Sequence, residues 1–125
     1  MWGIRLGALS DYPADAKLQA LGIRDQFEVV LSAQSPEVGV FKPHPGGLEA
    51  VLDRMRVSVN QALYVGDREE VDAAAAEAAG LACAILTTRA GGTETCTRVK
   101  DYSVLHRILF RDGAFTPSAR DFRVA

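Results

Sequence analysis

Four side chains in this sequence could do chemistry together: the hydroxyl of Ser10, the ammonium of Lys42 and the carboxylates of Asp67 and Asp72. A hydroxyl hydrogen-bonds an oxyanion, an ammonium neutralises its charge, and a carboxylate helps to hold a hard cation. The set therefore suits a reaction driven by positioning and charge stabilisation. Each residue also has a plain structural reading. Ser10-Asp11-Tyr12-Pro13 is a turn that can cap a helix. A single lysine is ordinarily a solvated surface residue. Gly66-Asp67 after an apolar run can be a turn and an N-cap, with Glu69, Glu70 and Asp72 favouring the positive end of the following helix. Taken one at a time none identifies a site, so the argument has to come from the elements they terminate.

The apolar run Ile4 to Leu9 has little helical period and predicts a strand ending at Ser10. Ala14, Leu18 and Leu21 fall on one face of a helix stopped by Gly22. Phe27 to Leu31 is a second strand, and Pro45 opens a helix with Leu48, Val51, Leu52 and Met55 on its inner stripe. Ala62 to Val65 is a third strand, apolar enough to be covered on both faces and broken by Gly66-Asp67. Glu69 to Ala79 is an alanine-rich helix ended by Gly80. Ala82 to Leu86 is a fourth strand, Ala90 to Thr93 a flexible loop, and Tyr102 to Leu109 a last helix. Alternation of strand and helix implies a parallel sheet wrapped by right-handed crossovers, with ligands beyond the carboxyl ends of the strands. Ser10 and Asp67 are at two such ends, and Lys42 lies in a loop leading into a helix.

A strand ending in Ser10, then Lys42-Pro43-His44-Pro45 before a helix, then Tyr64-Val65-Gly66-Asp67 with Asp72 opening an alanine-rich helix, forms a series. It resembles motifs two, three and four of the haloacid dehalogenase-like (HAD) hydrolase superfamily, phosphoglycolate-phosphatase-like members included, over residues 4 to 86. The resemblance implies a Rossmann-like parallel sheet flanked by helices and a Mg²⁺-dependent phosphatase of small phosphorylated metabolites, working through an aspartyl-phosphate. In that scheme the Ser10 hydroxyl bonds a phosphoryl oxygen, Lys42 neutralises charge on nucleophile and phosphate, and Asp67 helps to hold Mg²⁺. Asp72 orients Lys42 or supports the metal shell. His44 either borders this site or is simply exposed in its loop, and His106 reads as a surface or half-buried residue on a helix.

The sequence departs from the family in ways that carry consequences. The family opens with a strand ending in Asp-x-Asp, whose first aspartate attacks phosphorus, and nothing of that kind precedes Ser10. Ile108-Leu109-Phe110-Arg111-Asp112-Gly113 imitates it in outline but has Phe110 where the nucleophile belongs. Asp11 stands where the family often has an amide, and Arg68 and Val71 where it often has a small hydroxyl residue and an asparagine. The expectation is a partial core, residues 1–109, with a tail at 110–125, lacking the first strand and any cap domain. Such a chain is inactive alone, because covalent catalysis needs its nucleophile, and holds Mg²⁺ weakly or not at all. The absent strand lies centrally in the family, so two strand edges are left to pair with another copy or a complementing N-terminal segment, or to close up. A non-catalytic binding module completed by a partner strand is the alternative function. An unrelated doubly wound domain becomes the better reading if Ser10, Lys42 and Asp67 point apart.

Bulk properties narrow the class without choosing the function. The 125 residues allow one domain with a real core, and 48% hydrophobic with 24% charged residues is a soluble globular balance. A net charge of -2 gives no reason to expect nucleic acid, and no apolar run is long enough to cross a membrane. The start lacks a signal-peptide pattern, so a cytoplasmic location is expected. Cys83 and Cys96, without metal-ligand spacing, suggest a reducing compartment rather than a disulfide, with Cys83 a small core residue.

Overall fold

The computed structural model describes residues 4–89, 91 and 95–109. The tail at 110–125, most of the Ala90–Thr93 loop and most of the Ile108–Gly113 segment lie outside them. The described elements are β1 (Gly7–Ser10), α1 (Asp15–Ala20), β2 (Val29–Ser32), α2 (Gly46–Met55), β3 (Leu63–Gly66), α3 (Ala74–Ala79), β4 (Ala82–Leu86), β5 (Cys96–Val99) and α4 (Tyr102–Leu109). All strand pairings are parallel, in a two-stranded sheet β1-β2 and a three-stranded sheet β3-β4-β5. The expected parallel α/β architecture flanked by helices is therefore present.

The predicted stripe on α2 is what joins the two sheets. Val51 and Met55 pack with Val29 and Leu31 under the first sheet. Leu48, one turn earlier, packs with Ala75, Ala76, Cys83 and Ile85 under the second. Two glycines let the helix approach this closely. A Cβ at Gly47 would lie 2.7 Å from a Leu9 methyl, and one at Gly7 would lie 2.6 Å from the Met55 sulfur. In the second sheet β4 is the covered strand, buried from Ala82 to Ile85 as a doubly packed parallel strand should be. β3 is only half-buried along its whole length.

That half-burial has a structural cause. β1 and β3 do not pair with each other, and between them runs a cleft of about 290 Å³ lined by Leu6, Leu9, Leu52, Leu63 and Val65 among others. Of the outcomes anticipated for two unpaired edges, closure of the gap has not occurred among the described residues.

Three expectations need correction. α1 buries none of its residues, and Leu21 is 62% exposed, so the apolar face read there is not a core face. The Cys96–Val99 segment, not read as an element, is a strand paired in register with β4, and Cys83 faces Cys96. That pairing overturns the reading of the two cysteines. Their Cα atoms are 4.5 Å apart and they form a disulfide, within the range that bridging geometry requires. The thiols could not be seen as neighbours from spacing alone, because their contact exists only once β5 is laid beside β4. Finally, no described helix is long and apolar enough to cross a membrane.

Candidate active site

The helix predicted over Glu69–Ala79 begins with a π-helical segment, Glu69–Ala73, before the regular turns of α3. A π turn holds one extra residue, often at functional positions, and here it carries Asp72 beneath the end of β3. The Asp72 carboxylate is buried and accepts from four donors. Oδ2 takes the backbone N–H groups of Asp67 and Arg68 at 3.1 and 2.9 Å. Oδ1 takes Lys42 Nζ at 2.7 Å and the Tyr64 hydroxyl at 2.8 Å. Gly66 makes room, since a Cβ there would fall 2.5 Å from the Asp72 Cγ. The glycine is needed for close approach and not for its backbone angle.

Lys42 is correspondingly fixed. Its side chain is only 13% exposed, against 3% for Asp72, and Nζ also donates to the Tyr64 hydroxyl oxygen at 3.1 Å. Burial pulls the ammonium pKa down, but the hydrogen bonds to Asp72 and Tyr64 and their charges outweigh it, and the net shift is upward. Burial likewise pushes Asp72 up, and the hydrogen bonds from Lys42, the Arg68 N–H and Tyr64 bring it below its ordinary value. For Tyr64 burial dominates, and the phenol is pushed up to about 12. At neutral pH the cluster is a charged lysine–aspartate pair joined by a neutral phenol.

Of the other predicted residues, Asp67 adjoins this pair through its backbone, and Ser10 lies at the end of the neighbouring sheet. Ser10 ends β1, is half-buried, and its Oγ accepts the Tyr12 N–H at 3.3 Å. Asp67 follows β3, is exposed, and its backbone is held by Asp72. The ends of β1 and β3 share one rim, since Arg68 Nη1 stands 3.8 Å from Asp11 Oδ2 across the gap. Thus Ser10, Lys42, Asp67 and Asp72 belong to one end of the molecule. His44 is exposed and accepts the Gly46 N–H through Nδ1 at 3.0 Å, which caps the start of α2.

Sequence reasoning missed Tyr64. A phenol in an otherwise aliphatic strand, two residues before Gly66, was the available signal. It also missed that Asp72 is fully occupied. Among the described acids at this rim, Asp11 and Glu70 face Arg68 at 3.8 and 3.7 Å, while the Asp67 carboxylate has no partner. No described group of three or more His, Cys, Asp or Glu side chains could hold a metal ion.

A family model for haloacid dehalogenase-like hydrolases matches residues 1–80. The phosphoglycolate phosphatase of Rhodospirillum rubrum is 38% identical over 88 residues, 68% of this chain and 35% of that protein. The crystal structure of an HAD phosphatase from Thermococcus onnurineus aligns with a TM-score of 0.78 at 24% identity, over 91% of this chain and 53% of that one. An HAD-superfamily hydrolase of subfamily IA, variant 1, from Geobacter sulfurreducens aligns with a TM-score of 0.72 at 28% identity, over 85% and 53%. This chain spans about a third of the length of the curated relatives it matches. On the family match and the shared fold, this chain belongs to the haloacid dehalogenase-like hydrolases.

Proposed function

We propose that this chain forms the phosphoryl-binding part of a phosphatase core acting on small phosphorylated metabolites through an aspartyl-phosphate, with the nucleophile carried by a strand seated between β1 and β3. The Lys42–Asp72 pair is the observation that carries this reading. A lysine this buried, hydrogen-bonded on two sides and held at the strand end that bears Asp67, keeps its charge in one place. Fixed charge is what stabilises a transferring phosphoryl group, because it costs no reorganisation during reaction. Ser10 would bond a phosphoryl oxygen and Asp72 would orient Lys42. Asp67 would be the carboxylate offered to Mg²⁺. One carboxylate holds that ion weakly, so weak binding is proposed for this chain alone.

The test is hydrolysis of an aryl phosphate with and without Mg²⁺, by this chain and by the chain fused upstream to a strand ending in Asp-x-Asp. Background rates for the chain and Mg²⁺-dependent turnover for the fusion, lost in Lys42→Ala, are expected. A folded fusion that stays at background defeats the reading. The cleft between β1 and β3 favours a second reading, a non-catalytic module whose sheets are joined by a strand from a partner or another copy. A monodisperse monomer by light scattering at micromolar concentration argues against the second copy.

A further inference from the structure

We propose that β5 is a redox-sensitive clamp on the π turn, so that the geometry of the Lys42–Asp72 pair depends on whether the Cys83–Cys96 bridge is closed. The inference concerns what holds that pair and stands apart from what the pair binds. Cys96 and Arg98, two residues apart on β5, project from one face of the strand. Each meets one end of the π turn Glu69–Ala73. Cys96 Sγ lies 4.0 Å from the carbonyl oxygen of Ala73, the last residue of the turn. Arg98 donates to both carboxylate oxygens of Glu69, the first residue, at 2.6 and 2.7 Å. Asp72 lies between these two anchors, accepting from Lys42 and from the Asp67 and Arg68 N–H groups.

The clamp is only as firm as the attachment of β5 to its sheet. Among the described residues β5 pairs on one side alone, with β4, and the bridge ties the Cys83–Cys96 position of that ladder. Both cysteines are buried in the cluster that contains Leu48, Ala75, Ala76 and Ile85. Reduction by an external dithiol adds two electrons and breaks the S–S bond. One thiolate of the dithiol attacks a bridge sulfur, its second thiol resolves the mixed disulfide, and the dithiol leaves as a disulfide while the protein keeps two S–H groups. The two sulfurs must then stand about 4 Å apart, roughly twice a covalent S–S distance. β4 is buried from Ala82 to Ile85 and held on both edges, so the strand that gives way is β5. Its displacement carries Cys96 and Arg98 away from the two ends of the π turn and frees Asp72 to move.

Heteronuclear NMR of the air-oxidised chain and of the chain reduced with dithiothreitol tests this, with a thiol count confirming each state. Reduction is expected to lower the Lys42 ammonium pKa, because the lysine stays buried while its carboxylate partner is displaced. Hydrogen exchange at the Asp67 and Arg68 amides, which donate to Asp72, should quicken roughly tenfold more than at Ala33. The Ala33 N–H donates to the Ser10 carbonyl beside the other sheet and so reports loss of the whole fold. Arg98→Gln, with the bridge still closed, is expected to move Lys42 and the two amides in the same direction. Two free thiols in the air-oxidised chain overturn the proposal, as does a reduced chain whose Lys42 pKa is unchanged. A reduced chain in which all three amides quicken alike also overturns it, since the bridge then holds the fold and not the pair. So does Arg98→Gln with the Lys42 pKa of the unsubstituted chain.

Discussion

Because the Asp72 residue is 2% exposed and its carboxylate accepts from four donors, replacing it leaves a buried ammonium and a phenol without their acceptor. Asp72→Ala should lower unfolding free energy by about 3 kcal/mol in urea titrations, the cost of breaking a buried ion pair from one side. Its pH signature follows from a folded pKa below the ordinary 3.8. The contribution is complete above 3.8 and is lost as pH falls through the lower folded value, so the acid limb of stability against pH should flatten in the variant. Tyr64 has the opposite sign. With its phenol raised from 10.0 to about 12, its contribution is complete below 10.0 and disappears as pH rises toward 12. Tyr64→Phe should remove that alkaline loss and cost about 1 kcal/mol at neutral pH for the missing hydrogen bonds. The candidate residues were legible as types because hydroxyl, ammonium and carboxylates stood at strand and loop ends. The partner that ties two of them together, Tyr64, was hidden inside what looked like an apolar strand.

At the level of elements, the close approach of the π turn to β3 is the feature most open to challenge. A methyl at Gly66 would collide with the Asp72 carboxylate, which has no slack because all its donors are engaged. Gly66→Ala should therefore cost about 2 kcal/mol, as overpacked sites do, and should lower the Lys42 pKa measured by heteronuclear NMR as the carboxylate is displaced. A Gly66→Ala protein with unchanged stability and an unchanged lysine pKa would show that Asp72 is not seated there. Helix type and extent over Glu69–Ala79 were readable from alanine content and the Gly80 stop, and Gly80 indeed has φ +73°. The wide first turn was not readable, since propensities rank residues for a helix and say nothing about an extra residue in one turn. β5 was overlooked because Cys96–Val99 contains a threonine and an arginine and lacks a clean apolar run.

For the whole molecule, the Cys83–Cys96 bridge closes a loop of 13 residues and holds the outer strand to the second sheet. A loop of this length is worth about 3 kcal/mol in chain-entropy terms. Reduction, or the paired change Cys83→Ala with Cys96→Ala, should lower the urea midpoint accordingly, and a midpoint unmoved by reductant would mean that the bridge does not form in solution. The cleft between β1 and β3 sets the other property at this scale. Apolar side chains on both walls leave two parallel strand edges available to an added strand.

The amino-acid sequence by itself determined the alternation of strands and helices, the parallel class, and the chain positions of Ser10, Lys42, Asp67 and Asp72, because periodicity, glycine stops and strand-ending polar residues are local signals. Tertiary structure alone decided that Asp72 is spent on Lys42, that Cys83 meets Cys96, and that Arg68 comes within 3.8 Å of Asp11. Those outcomes depend on which elements lie side by side, and adjacency in space is set by packing across α2 and by strand register, neither of which is written in any one segment.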